Sequence, residues 1–295
     1  MDNTKGIKRT IEIEEFTNRY LIHPISSRLV PILHRLDIHP NTVSLAGALS
    51  GAIAALCYYN YEVPAASIAG FLFMVGWHVM DGADGQLARL SGKVTASGYV
   101  IDGICDYTTF ILVYMVLAFR LSAVHGTWIW IIVVLSGASH MVQAAAFELQ
   151  RASYNKWVSG KALAAVPRDK TASPTGLLGG LARVYNMVQC PFRPVTEDLE
   201  ERLRAFAHAD AGHGDEVAQA YRKNFRHAVL RWSWLSANNH TIAIFIACYL
   251  GRPFLYFLFE ILVLNAALVL LIRMNRARAA DLADWLAING GRRTV

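Results

Sequence analysis

What most limits the folds open to this chain is a series of long apolar blocks. Six stretches, near 43–59, 64–80, 99–119, 128–149, 232–250 and 254–272, carry almost no charge. Each is close to the roughly 20 residues that a helix needs to cross a hydrocarbon core about 30 Å thick. Backbone polar groups in lipid have no water to pair with, so spans of this kind are helical. The expected fold is an all-α integral membrane protein with six transmembrane helices. Hydrophobic residues make up 54% of the chain and mean hydropathy is +0.31, which excludes an ordinary soluble domain.

An even number of spans puts both termini on one face. Of the 28 Lys and Arg residues, all but Arg120 and Arg252 fall in the N-terminal region, between the second and third spans, between the fourth and fifth, or after the sixth. Positive loops stay inside, so both termini are expected in the cytoplasm, in the inner membrane of a bacterium. This distribution accounts for the net charge of +6 without nucleic acid. The first twenty residues have neither an apolar core nor a small-residue cleavage site, so they are not expected to be a signal peptide. Cys57, Cys105, Cys190 and Cys248 form no CxxC pair and imply neither disulfides nor zinc.

Five segments follow. Residues 1–42 form a cytoplasmic N-terminal segment with an amphipathic interfacial helix, whose apolar stripe is Ile25, Leu29, Ile32, Leu33 and Leu36. Packing of that helix on the insert fits the periodicity equally well. Residues 43–149 hold spans one to four, 150–230 a cytoplasmic insert, 231–273 spans five and six, and 274–295 a cytoplasmic tail. The insert is rich in breakers such as Pro167, Pro174, Gly179 and Gly180, with helices expected after Thr196 and after Asp215. It reads as a packed spacer or as a regulatory or acceptor-gating subdomain.

Four carboxylates stand at the inner ends of spans two and three: Asp81, Asp84, Asp102 and Asp106. Asp costs roughly 3 kcal/mol at the centre of a membrane helix, and four together repel one another, so a cation must hold them. Spacings of three and four residues put each pair on one helical face. Two such faces make an oxygen-ligand site for two hard divalent ions, Mg²⁺ or Mn²⁺, bridging a phosphorylated substrate. Gly85 and Gly98 leave room on the two helices for a substrate to approach, and Arg89 could clamp a phosphate.

In full, the pattern is Asp81, Asp84-Gly85, Ala88-Arg89, Gly98, Asp102 and Asp106. It resembles, without a departure, the signature of the CDP-alcohol phosphotransferase family, also called CDP-alcohol phosphatidyltransferases. The resemblance implies attack by an acceptor hydroxyl on a CDP-activated lipid, most simply CDP-diacylglycerol, with release of CMP. It also implies that Asp106 is the general base and shares the second ion, that Asp81, Asp84 and Asp102 hold metal, and that the protein is a homodimer. Asp81, Gly85, Ala88, Arg89 and Gly98 then bind the CDP moiety, joined by Asn41, which follows Pro40 as in a Pro-Asn pair of the family. Residue types alone do not rank the four carboxylates, and a helix cap explains Asn41 equally well.

The acceptor is a small alcohol or alcohol phosphate. His140, Gln143 and Arg151, near the inner half of span four, are the candidate acceptor pocket, whereas Glu260 is expected to lie too far away to take part. His78 reads as a packed histidine ahead of a support for Asp81. A CDP-choline or CDP-ethanolamine type of transfer onto a lipid alcohol is the near alternative. A metal-dependent transporter is the distant one, and it gives no reason for Gly85, Arg89 and Gly98 in register. A prenyltransferase also pairs Asp-rich motifs, but far apart, whereas Asp84 and Asp102 are 18 positions apart.

Overall fold

The computed structural model describes residues 11–159, 192–210 and 212–291. The proline- and glycine-rich part of the expected insert, residues 1–10 and residues 292–295 lie outside the described residues. Among the described residues every regular element is helical. They are α1 (His23–Arg35), α2 (Pro40–Tyr59), α3 (Pro64–Leu90), α4 (Ala96–His125), α5 (Ile129–Val158), α6 (Glu197–Ala209), α7 (His213–Trp232), α8 (Ala237–Tyr249), α9 (Phe254–Leu258) and α10 (Asn265–Gly291). A π-helical turn, Phe259–Leu264, joins α9 to α10.

Five helices among these are long and apolar enough to cross a membrane: Pro40–Tyr59, Pro64–Leu90, Ile101–His125, Ile129–Val158 and Phe254–Gly290. The stretch expected as a span at 232–250 is divided. Trp232 ends α7, a 3-10 turn covers Ser233–Leu235, Ser236 is extended, and α8 has 13 residues. At 1.5 Å per residue that is about 20 Å, short of a hydrocarbon core of about 30 Å. The expected tail at 274–295 instead continues the last helix to Gly291.

The chain forms two compact units. The first draws on Glu15–His140 and Ala237–Val263. Its helices invert the soluble pattern: α2 buries Gly47, Gly51, Ala54 and Ala55 while Leu45, Leu49 and Leu56 are 62–66% exposed. Small residues inside and large apolar ones outside suit close helix packing within lipid. A Cβ on Gly51 would come within 2.4 Å of Thr109 Oγ1 on α4, so only glycine allows this approach. Around Tyr58, Met74, Trp77, Phe110, Tyr114 and Phe257 the unit closes a continuous apolar core.

Helix α1 packs on α3 through Val30 and through Leu29 and Leu33 of the expected apolar stripe, together with Ser26. Ser26 is fully buried and its hydroxyl donates to the Val79 carbonyl at 2.8 Å, whereas Ile25, Ile32 and Leu36 are exposed. Gly82 makes room, since a Cβ there would stand 2.9 Å from Ser26 Oγ.

The second unit draws on Met141–Ser236 and Leu264–Val295 with the described part of Arg9–Glu14. Thr196 caps α6, with Glu197, Asp198 and Glu200 in its first turn, and α7 starts two residues before Asp215. Both helices share a core with Tyr154, Trp157, Leu282 and Leu286. Glu12 fastens the N-terminal segment to it, accepting from Tyr154 Oη at 2.7 Å and from Arg222 Nε at 2.9 Å. Burial alone would raise the Glu12 pKa, but these two bonds and the charges of Arg222 and Arg226 hold it below the usual carboxylate value.

A depressed carboxylate stabilises above its unfolded pKa, about 4.3 for Glu, and loses that contribution as pH falls through the lower folded value. Glu12→Gln is therefore expected to raise amide exchange of residues 11–15 several-fold at pH 7. The wild type should show matched loosening only in acid. Equal exchange in both proteins at pH 7 would contradict the role of the charge.

Candidate active site

The carboxylates come together because α3 and α4 are consecutive and their connection is short. Helix α3 ends in a Schellman-type turn: Ser91 N–H bonds the Leu87 carbonyl, Lys93 N–H bonds the Ala88 carbonyl, and Gly92 takes φ +67°. Five residues, 91–95, then reach Thr95, whose hydroxyl caps α4 by accepting from Gly98 N–H at 3.0 Å. Both helices also pack against α2, which brings the last third of α3 and the first third of α4 to one place.

Carboxylate oxygens of Asp81, Asp102 and Asp106 lie within 4.8 Å of one another. Asp84 is buried and accepts a hydrogen bond from the Ser44 hydroxyl of α2. Trp77 and Asp106 both face the space beside these carboxylates. Together they border a narrow recess lined by Ser44, Gly47, Trp77, Asp81, Asp84, Asp102, Cys105 and Asp106. Two unit charges 4 Å apart repel by about 4 kcal/mol at an effective dielectric of 20. Such a group of carboxylates is stable only with compensating positive charge. An all-carboxylate donor set is chemically suited to Mg²⁺ or Mn²⁺ rather than to softer ions.

The other motif residues flank this recess. A Cβ on Gly85 would stand 3.5 Å from Arg89 Nη1, so the guanidinium lies over the glycine. A Cβ on Gly98 would meet Asn41 Oδ1 at 3.4 Å, which places Asn41, at the start of α2, beside the start of α4. The Asn41 backbone N–H bonds His39 Nδ1 at 3.2 Å, so the cap of α2 is supplied by His39. Ala88 is half-buried on α3, one turn before its end.

The three candidate acceptor residues are each held by other partners. His140 Nδ1 is 3.2 Å from Glu260 Oε1, so Glu260, expected to be out of reach, is its direct neighbour. Gln143 Nε2 donates to Asn265 Oδ1 at 2.8 Å, and Arg151 pairs with Glu148 at 2.8 Å. His78 is buried and bonded to Thr241 Oγ1 at 2.9 Å. Ser44 and Trp77 were not anticipated as site residues. A hydroxyl and an indole N–H inside apolar spans were the available signal, because each needs a partner there.

Similarity to known proteins bears on this geometry. The family described as CDP-alcohol phosphatidyltransferase matches residues 37–188, just over half of the chain and all of the motif. A protein of Archaeoglobus fulgidus described as "Bifunctional IPC transferase and DIPP synthase" is 32% identical over 91 residues, which is 31% of this chain. The match spans only 17% of that relative's length.

Proposed function

Because the chain belongs to the CDP-alcohol phosphatidyltransferase family, we propose that it moves a phosphatidyl group from CDP-diacylglycerol to the hydroxyl of an acceptor alcohol, releasing CMP. The observation that carries this reading is the convergence of Asp81, Asp102 and Asp106 to within 4.8 Å, beside buried Asp84. Asp81, Asp84 and Asp102 would hold divalent ions, Mg²⁺ or Mn²⁺, with Asp106 sharing the second. When bound, such ions neutralise the pyrophosphate and polarise its bridging oxygen.

Asp106 takes the proton of the acceptor hydroxyl, whose oxygen bonds the phosphorus that carries the diacylglycerol. The bond from that phosphorus to the oxygen of CMP breaks, and CMP leaves with the electron pair. Trp77, which lines the same recess, would form an apolar wall beside the Asp106 carboxylate. Arg89 pairs with a donor phosphate, and Gly85, Ala88, Gly98 and Asn41 shape the seat of the nucleotide. The capped N-terminus of α4 adds backbone N–H groups and a favourable dipole for the phosphates.

The proposed arrangement keeps six crossings, with α8 as a short fifth one. Both termini and the site face the cytoplasm of a bacterial inner membrane, and the enzyme works as a homodimer. The positive-loop distribution supports the orientation.

The test is CMP release in mixed micelles with CDP-diacylglycerol, Mg²⁺ and a panel of acceptors: serine, glycerol phosphate, inositol, inositol phosphate, choline and diacylglycerol. One acceptor is expected to support release that EDTA abolishes. Asp81→Asn is expected to raise the Mg²⁺ needed for half-maximal rate several-fold. EDTA-resistant release, or silence with this donor across the panel, would overturn the reading.

A further inference from the structure

A second cluster of ionisable side chains lies in the first unit and takes no part in the proposed transfer. Glu260 is fully buried in an apolar span, as are Ser136 and His240, and His140 is 6% exposed. The Glu260 carboxylate accepts from Tyr114 Oη at 2.8 Å on each oxygen and from the Ser136 hydroxyl. His140 Nδ1 and His240 Nδ1 both stand 3.2 Å from Oε1. Tyr256 Oη is 3.3 Å from Oε1 and 3.0 Å from His240 Nδ1. A ligand atom from each of His140, His240 and Glu260 lies within 4.8 Å of the others.

Four features set this cluster apart from a plain hydrogen-bond knot. The edge of a tetrahedron with metal–ligand bonds of 2.0–2.1 Å is about 3.3 Å, close to the two His–Glu separations. The second carboxylate oxygen is hydrogen-bonded by Ser136 and Tyr114, the kind of support that orients a ligating carboxylate. Tyr256 Oη is close to both Oε1 and His240 Nδ1, which puts an oxygen where a fourth ligand would stand. Glu260 also sits in the π-helical turn Phe259–Leu264, and such turns recur where a helix aims a side chain into a site.

We propose that His140, His240 and Glu260, with the Tyr256 oxygen in the fourth position, form a closed structural site for Zn²⁺ or another first-row transition ion. Two imidazoles with one carboxylate favour such an ion over the Mg²⁺ suited to the aspartates. The charges balance: Glu260 supplies one negative charge, and Tyr256 supplies the second by releasing its proton to water as the ion binds. The filled site is neutral, as a span in lipid requires. It ties α5, α8 and the last membrane helix together. Phe110, 4.2 Å from His140 and 5.4 Å from Trp77 between ring centroids, separates it from the aspartate recess by one aromatic layer.

The experiment is metal analysis of the full chain purified in detergent without chelators, then loaded with Zn²⁺ and desalted. About one tightly held ion per chain is expected, as for a closed site. It should be lost in His140→Ala/His240→Ala and kept in Asp81→Asn/Asp102→Asn, which separates this site from the aspartate recess. Wild-type protein loaded with Co²⁺ should show the visible absorption of a tetrahedral site, a reading that needs no variant to fold. No retained ion, no tetrahedral Co²⁺ spectrum, or an ion that follows the aspartates would overturn the proposal. Each of those results would leave the proposed transferase activity intact.

Discussion

Asp106→Asn is expected to lower CMP release by about 10²- to 10⁴-fold, the range spanned by general-base catalysis, while donor binding falls much less. Asparagine keeps the size of aspartate, so the recess should hold its shape. What is lost is a group that takes up a proton and one of the charges that attract divalent ions. The informative comparison is therefore the maximal rate at saturating Mg²⁺ against CDP-nucleotide affinity measured without turnover. A variant within tenfold of the wild-type rate at saturation would move the base elsewhere.

The second large effect concerns stability. Gly51→Val forces a side chain into Thr109, whose Oγ1 and Cβ lie 2.4 Å and 2.9 Å from where the new Cβ must stand. Overpacking of this kind costs about 1–3 kcal/mol, which corresponds to a fall in Tm of roughly 2–12 °C. The loss is expected to carry activity with it, because α2 presents both Ser44 and Gly47 to the recess. Gly137→Ala is the control: its Cβ would find Tyr114 at 3.7 Å, an ordinary contact, and Tm should stay unchanged. Equal shifts for the two variants would mean that helix propensity, not the approach of α2 to α4, sets the result.

The aspartate site was legible because its spacing is local. Asp81 with Asp84 and Asp102 with Asp106 obey the helical period, and a five-residue turn keeps the two pairs near each other along the chain. The support of Asp84 by Ser44 was not legible: it crosses 40 positions and depends on how α2 leans on α3. Glu260 was misjudged for a similar reason. A straight reading of the last span ignores the π-turn and the packing of α8, which bring His140 and His240 to one carboxylate. On α1, Leu29 and Leu33 of the expected stripe pack inward, but the burial of Ser26 depends on Gly82, a fit between two helices that hydrophobic periodicity does not encode. The stretch at 232–250 is apolar enough for a span, but the extended Ser236 interrupts its helix.

The five-residue connection after the Gly92 turn also bears on synthesis. Everything that borders the aspartate recess, from Ser44 to Asp106, is contained in three successive helices that end at His125. Helices emerge in order and neighbouring contacts form fastest, so the recess is expected to assemble before most of the remaining chain has been made. A truncated nascent chain ending shortly after α4 should already protect Cys105, the thiol that lines the recess, from a membrane-permeant alkylating reagent.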